Sequence, residues 1–469
     1  MEAKQKMRTE KELFETCNVT KAIFRLAFPT VLGQIVLVIY NMADTFFVGL
    51  TGNDAMLTSI TICMPAFMFL SAISNLFGVG GASVISRALG ADNRSHAHAA
   101  SAFALWGCLS MTLCYSLLAW FYTDCFVDIL GGTDAEVHGN AVAYMLCTVV
   151  AGGVVTSISG LLSHLIRSEG RSLHAAVGVA LGGILNILLD PLFMFVLLPA
   201  GNEAFGAAMA TALANVVSLL YFIIVLIAVR KHSVLGFIPS KAMFMGGIPT
   251  KIFIAGLPAC VMTLFENISY AVLDKLMSLS GLSAQTGIGV AKKVNMLAHC
   301  IVRGIAQGSL PLIGYNYASG NMKRMRDSVR TSHRVAVITA LLCAVASMAF
   351  ARPLIGVFIH RESSSLELGI LFLRILCIGG PFSASAYTLI TFFQATGKGM
   401  KSFSLAILRK GLVDIPLMFV LNMVLPIYGI VMATPIADLL CCVTANMMYT
   451  AFIRDRQANI HRSSVSSCL

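Results

Sequence analysis

Gly206-Ala-Ala-Met-Ala-Thr211-Ala-Leu-Ala-Asn215 returns later in the chain as Gly429-Ile-Val-Met-Ala-Thr434-Pro-Ile-Ala-Asp438, 223 residues on. Other echoes lie at nearly the same spacing. Phe28-Pro29 returns as Leu257-Pro258 at 229, and Gly52 as Gly281 at the same offset. Asn93 and Asn321 are 228 apart, and Gly170 and Gly397 are 227 apart. Asp190-Pro-Leu-Phe-Met-Phe195 is echoed by Asp414-Ile-Pro-Leu-Met-Phe-Val420. Chance matches are common in apolar sequence, but six in one order within so narrow a range are not. The chain reads as one unit of about 225 residues used twice. In a membrane protein, two related halves facing each other place a substrate path at their interface.

Composition says that the setting is a bilayer. The chain is 57% hydrophobic and 12% charged, against roughly 25% charge in soluble domains. A span of ~30 Å of hydrocarbon needs ~20 apolar residues. Twelve such stretches are expected, at about 25–48, 55–80, 98–122, 139–165, 172–198, 204–229, 252–280, 284–314, 333–359, 366–393, 402–425 and 428–452. They leave no room for a soluble domain. The expected fold is an all-α integral membrane protein of two parallel six-helix repeats. Its parts are an N-terminal segment (1–24), an N-lobe (25–230), an inter-lobe loop (231–251), a C-lobe (252–453) and a tail (454–469).

The net charge of +11 does not point to nucleic acid, because of how it is distributed. The N-terminal segment, the even-numbered loops with their flanks, and the tail hold 26 of the 33 Lys and Arg; Arg409 and Lys410 are counted there. The odd-numbered loops hold Arg352 and Arg361. Cytoplasmic loops carry the basic excess, so both termini are expected in the cytoplasm. The thirteen cysteines fall mostly within spans and show no disulfide or zinc spacing. Several spans are broken by Gly or Pro, at Gly152-Gly153, Pro191, Gly379-Gly380-Pro381, Pro416 and Pro435. Breaks at membrane depth need protein or a water-filled cavity to satisfy the freed backbone.

Acids inside spans carry the sharpest signal, since each costs roughly 2.5–3.5 kcal/mol at the bilayer centre unless paired or hydrated. Six qualify: Asp44, Asp190, Glu266, Asp274, Asp414 and Asp438. In the first half Asp44 lies near the outer end of its span. Asn186 and Asp190, four apart, share a helix face. Thr211 lies a few residues below the outer end of the sixth span. A rise of ~1.5 Å per residue puts all four at similar depth. Two carboxylates, an amide and a hydroxyl are the hard oxygen ligands of a small cation or a proton relay. In the second half Glu266 and Asp414 are candidates for a substrate or coupling acid. Lys292 or Lys293 is the expected partner of Glu266. Asp274 is read as a rim pair with Lys275, and Asp438 as a polar packing position. The chain has no HExxH, GxSxG or Walker sequence, so no enzymatic or ATP-driven reading is favoured.

These stretches resemble the multidrug and toxic compound extrusion (MATE) transporters, DinF/MepA-like branch. The resemblance is carried by Phe28-Pro-Thr-Val-Leu-Gly-Gln34, Tyr40-Asn-Met-Ala-Asp44-Thr-Phe-Phe-Val-Gly49 and Gly81-Ala-Ser-Val-Ile-Ser-Arg87-Ala-Leu-Gly90. Asn186-Ile-Leu-Leu-Asp190-Pro-Leu-Phe193, Gly206-Ala-Ala-Met-Ala-Thr211 and Gln307-Gly-Ser-Leu-Pro-Leu-Ile-Gly-Tyr-Asn316 add to it. It runs from about residue 20 to 450. It implies a V-shaped pair of lobes and alternating access. It further implies export of amphipathic, mostly cationic drugs in exchange for Na⁺ or H⁺, with no other cofactor. The partners implied are small-molecule drugs and organic cations and the lipid bilayer, for a monomer in the cell membrane. The family's N-lobe cation site, which would hold Na⁺ or H⁺, falls on Asp44, Asn186, Asp190 and Thr211, with Tyr144 beside it. Glu266 matches a C-lobe acid of another branch. That branch's second C-lobe acid has no counterpart here beyond Glu367 at a span edge. A lipid-linked oligosaccharide flippase of the same superfamily is the alternative; its cavity should be rich in Arg to hold pyrophosphate.

Overall fold

The computed structural model describes residues 12–132, 134–199, 201–359 and 364–466. Lys4, Lys6, Arg8, Lys11, Arg361 and Cys468 lie outside the described residues. The first half contains α1 (Val19–Leu50), α2 (Asp54–Gly90), α3 (Arg94–Phe121), the short α4 (Thr123–Ile129), α5 (Ala135–Met145), α6 (Gly153–Ser168), α7 (Ser172–Leu192) and α8 (Glu203–Val229). The second contains α9 (Ile248–Leu279), α10 (Leu282–Ala318), α11 (Met322–Ala349), the short α12 (Ala351–Gly356), α13 (Ser364–Ile378), α14 (Gly380–Ala395), α15 (Gly399–Ile407), α16 (Asp414–Val424) and α17 (Tyr428–Ser466). Among the described residues nine helices are long and apolar enough to cross a bilayer, and two bent pairs bring the number to eleven. The remaining expected span, the eleventh at 402–425, is α15 and α16 joined through a wide turn at Leu408–Val413. Neither piece is long enough to cross alone.

The echoes in sequence fall on equivalent structural devices. Asn93 caps α3 by accepting from the His96 amide at 2.9 Å, and Asn321 caps α11 by accepting from the Arg324 amide at 3.1 Å. Each supplies an oxygen to an otherwise unpaired N–H of the first turn. Gly170 and Gly397 both stand in the left-handed region, at φ 88° and 71°, and close the fourth span of their half. That conformation favours glycine because a Cβ would crowd the backbone. The glycine breaks also behave as expected. α5 and its wide turn Leu146–Ala151 meet α6 at 49°, and α13 meets α14 at 43°.

The halves touch on one side and part on the other. On the side of the chain termini the buried apolar clusters mix both halves. Ile252 packs with Leu76 and Ile85, Val79 with Leu310, and Leu26 with Leu312. Toward the opposite side the clusters belong to one half each, around Leu70 and Met145 in the first and around Phe372 and Met418 in the second. The two-lobed V is therefore closed at the terminus-bearing side and open opposite.

Small residues let the seal close. A Cβ on Gly256 of α9 would fall onto the Leu76 carbonyl oxygen of α2. Across the other junction Gly304 and Gly308 of α10 meet the backbones of Val31 and Ala27 of α1. Residues 13–15 add a clasp: the Phe14 carbonyl accepts from Arg324 Nε at 2.6 Å, and Glu15 accepts from the Tyr315 hydroxyl at 2.6 Å.

Gly256→Val should lower the apparent melting temperature of detergent-purified protein, the overpacking costing about 1–3 kcal/mol. Gly289→Ala serves as the control, because nothing lies within 4 Å of a Cβ there; it should leave the midpoint unchanged or slightly higher.

Candidate cation site and central cavity

A cavity of about 360 Å³ lies between the halves. The first half lines it with Tyr40, Asn41, Ser163, Asn186 and Thr211, among others. The second half contributes Glu266, Tyr270, Lys293 and Arg303. α1 packs against α7 of its own half and α10 of the other, so it links the first half's interior to the seam.

In the first half the residues picked out by depth come together. The Asn186 amide donates to Asp190 Oδ1 at 3.2 Å and to the Thr211 hydroxyl at 3.2 Å. Asp190 is wholly buried and Asn186 is 2% exposed. Asp44, Asp190, Tyr40 and Tyr144 lie within electrostatic range of one another, and Lys293 of the second half lies within range of Asp44. Tyr144 is buried with its backbone just before the wide turn of Leu146–Ala151. Extended turns of this kind recur at functional sites. Three buried acceptor oxygens here have no hydrogen-bond donor: Asp44 Oδ1, Asn186 Oδ1 and Asp190 Oδ2. Buried acceptors are almost always satisfied, and an unmet one asks for a missing ion or water. Tyr40 was not picked out from sequence. It lies four residues before Asp44 on the same helix face, which is the signal that marks it.

The second half handles its acids differently, and here several expectations are corrected. Glu266 pairs with Arg303, not with Lys292 or Lys293; Arg303 Nη2 donates to Oε1 at 3.0 Å and Oε2 at 2.8 Å. Both groups also meet the Tyr387 hydroxyl. Asp274 accepts from Lys292 at 2.6 Å rather than pairing with Lys275. α9 and α10 run side by side, so residues a turn or more apart in depth estimates meet across them. Asp438 is no mere polar packing position: it accepts from Arg409 Nε at 2.6 Å, with the two side chains 2% and 1% exposed. Asp414 accepts from Lys410 Nζ at 2.9 Å and from the Thr434 hydroxyl at 3.0 Å.

Arg409 and Lys410 therefore do not belong with the loop charges. They are buried in the wide turn between α15 and α16, with the Arg409 guanidinium 4.3 Å over the Tyr387 ring. An unpaired charge at this depth would be prohibitive, and each is met by an acid. In the second half every intramembrane acid read from the sequence has a basic partner; in the first half Asp44 and Asp190 form no ion pair among the described residues.

Arg409→Met should strand Asp438 and cost about 3–5 kcal/mol, seen as a large fall in apparent melting temperature. The pair Arg409→Met with Asp438→Asn should recover most of that loss.

A family model described as MatE matches the chain twice, over residues 29–192 and 258–420. Multidrug export protein MepA of Staphylococcus saprophyticus is 28% identical over 443 residues, covering 94% of this chain and 96% of the relative. The protein of the same name from Staphylococcus aureus is 28% identical over 448 residues, with the same coverage. Among solved structures, an outward-facing conformation of a multidrug resistance MATE family transporter of the MOP superfamily superposes with a TM-score of 0.85. It is 23% identical and covers 95% of this chain and 98% of that one. A MATE crystal structure in complex with MaL6 gives a TM-score of 0.86 at 24% identity, covering 94% of this chain and 99% of that one.

Proposed function

Because this chain belongs to the MatE family of membrane transporters, we propose that it is a secondary active multidrug efflux antiporter. It exports amphipathic, mostly cationic compounds and takes up Na⁺ or H⁺ in exchange. The observation that carries this reading is the trio of donorless buried oxygens on Asp44, Asn186 and Asp190, beside a cavity that both halves share. An acidic pocket whose two carboxylates form no ion pair among the described residues, with Lys293 acting on Asp44 from across the cavity, is stabilised at membrane depth when a cation or proton is taken up. The amide and hydroxyl oxygens of Asn186 and Thr211 suit a Na⁺ shell, while the two carboxylates alone suit a proton.

With the termini in the cytoplasm, the open side of the V faces outward and the sealed side inward. Asp44 lies toward the open end of α1, whereas Ala27 and Val31 of the same helix sit in the seal against α10. A cation held between Asp44 and Asp190 draws α1 toward α7. That movement narrows the cavity wall formed by Tyr40 and Asn41 and displaces cargo outward. The same helix transmits the change to the seal. Binding favours one arrangement over the other by its differential affinity, which is what coupling requires.

A flippase needs free cations for a pyrophosphate. Arg303 and Lys292 are tied to Glu266 and Asp274, and Lys293 is left as a single ammonium in the cavity lining, not the Arg-rich set a pyrophosphate calls for, which speaks for efflux instead.

In proteoliposomes, uphill ethidium movement is expected under an imposed Na⁺ gradient or an imposed pH gradient, and the gradient that works identifies the coupling ion. Asp190→Asn should fall to the leak of protein-free vesicles while remaining folded. Full uphill transport by that variant would remove Asp190 from the coupling site.

A further inference from the structure

The register that relates the halves also relates their fifth and sixth spans residue by residue. At an offset of 224, Asn186 and Asp190 fall on Lys410 and Asp414. At 223, Thr211 falls on Thr434. At the first span's offset of 229, Asp44 falls on Leu273 and Tyr40 on Ser269. The side-chain geometry follows the register. In the first half the Asn186 amide joins Asp190 to Thr211. In the second, Asp414 Oδ1 accepts from Thr434 at 3.0 Å, and Oδ2 accepts from Lys410 at 2.9 Å and Ser269 at 2.6 Å.

The frame is shared and the electrostatics are opposite. The first half presents two carboxylates and three acceptor oxygens without donors. The second presents one carboxylate, with both oxygens occupied, and a cation belonging to the chain itself. Lys410 and Asp414 are 2% and 0% exposed, so this ammonium is not a surface group that swings to water.

We propose that Lys410 is a tethered cation. Its ammonium occupies a second copy of the cation cradle and so restricts the transporter to one coupling cation per cycle, the one taken by the first half. A covalently attached ligand competes at a high effective concentration and does not leave with the gradient. The proposal rests on the cation reading of the first half. Replacing Lys410 by Asn, the residue of the first half, removes the resident charge and adds an amide oxygen. Asp414, Thr434, Ser269 and that amide then form an oxygen set of the kind that holds Na⁺.

The test is equilibrium binding of radiolabelled Na⁺ to the purified full-length protein in detergent. Four forms are compared: wild type, Asp190→Asn, Lys410→Asn, and the last two substitutions combined. The expected result is one Na⁺ for wild type, none for Asp190→Asn, two for Lys410→Asn and one for the combination. The gain must vanish when Asp414→Asn is added to Lys410→Asn. If wild type binds one and Lys410→Asn also binds one, the tethered-cation proposal fails and the first-half site stands. If wild type and Asp190→Asn bind none while Lys410→Asn binds one, the proposal stands and Na⁺ binding in the first half fails. A gain that survives Asp414→Asn also overturns the proposal. Lys410→Gln, which is one atom longer than Asn and closer to the length of Lys, replaces Lys410→Asn should that variant not elute as a folded monodisperse species.

Discussion

Charge burial at membrane depth is the constraint on which the rest of this structure depends. Lipid offers no hydrogen bonds and little dielectric relief, so every intramembrane charge needs a partner within the protein. The second half meets that demand for its intramembrane acids with its own side chains: Arg303 on Glu266, Lys292 on Asp274, Arg409 on Asp438 and Lys410 on Asp414. The first half leaves it unmet at Asp44 and Asp190, where no ion pair forms among the described residues. The acids of one half are thus neutralised within the protein, and those of the other are not. The shared cavity lies between them.

On the proposed antiport reading, this asymmetry assigns coupling to the first half. α1 carries Asp44, borders the cavity through Tyr40 and Asn41, and ends in the seal against Gly304 and Gly308. One helix therefore joins the unpaired acid, the cavity and the seal between the halves. The wide turns beside Tyr144, after Leu192 and around Lys410 stand where the regular i→i+4 ladder is interrupted. Such interruptions shift which side chains face inward and are frequent at functional sites.

Much of this was legible in the sequence. Twofold repetition was visible because the same caps and turns recur: Asn93 with Asn321, Gly170 with Gly397. The first-half cluster was visible because helix rise is constant, so residue counts give depth. The pairings across helices were not. Counting residues gives depth and face but not which neighbour a face meets, and so Glu266 and Asp274 were matched to nearby lysines. Arg409 and Lys410 sit close to a span start and read as loop flank. The readable sign was Lys410 four residues from Asp414, one turn apart on a common face.

The most direct test of where coupling occurs is difference infrared spectroscopy of carboxyl groups in the purified protein on adding Na⁺ or on acidification. The expected result is a carboxyl change that disappears in Asp190→Asn and persists in Asp414→Asn. A change that persists in Asp190→Asn and disappears in Asp414→Asn would contradict the assignment of coupling to the first half.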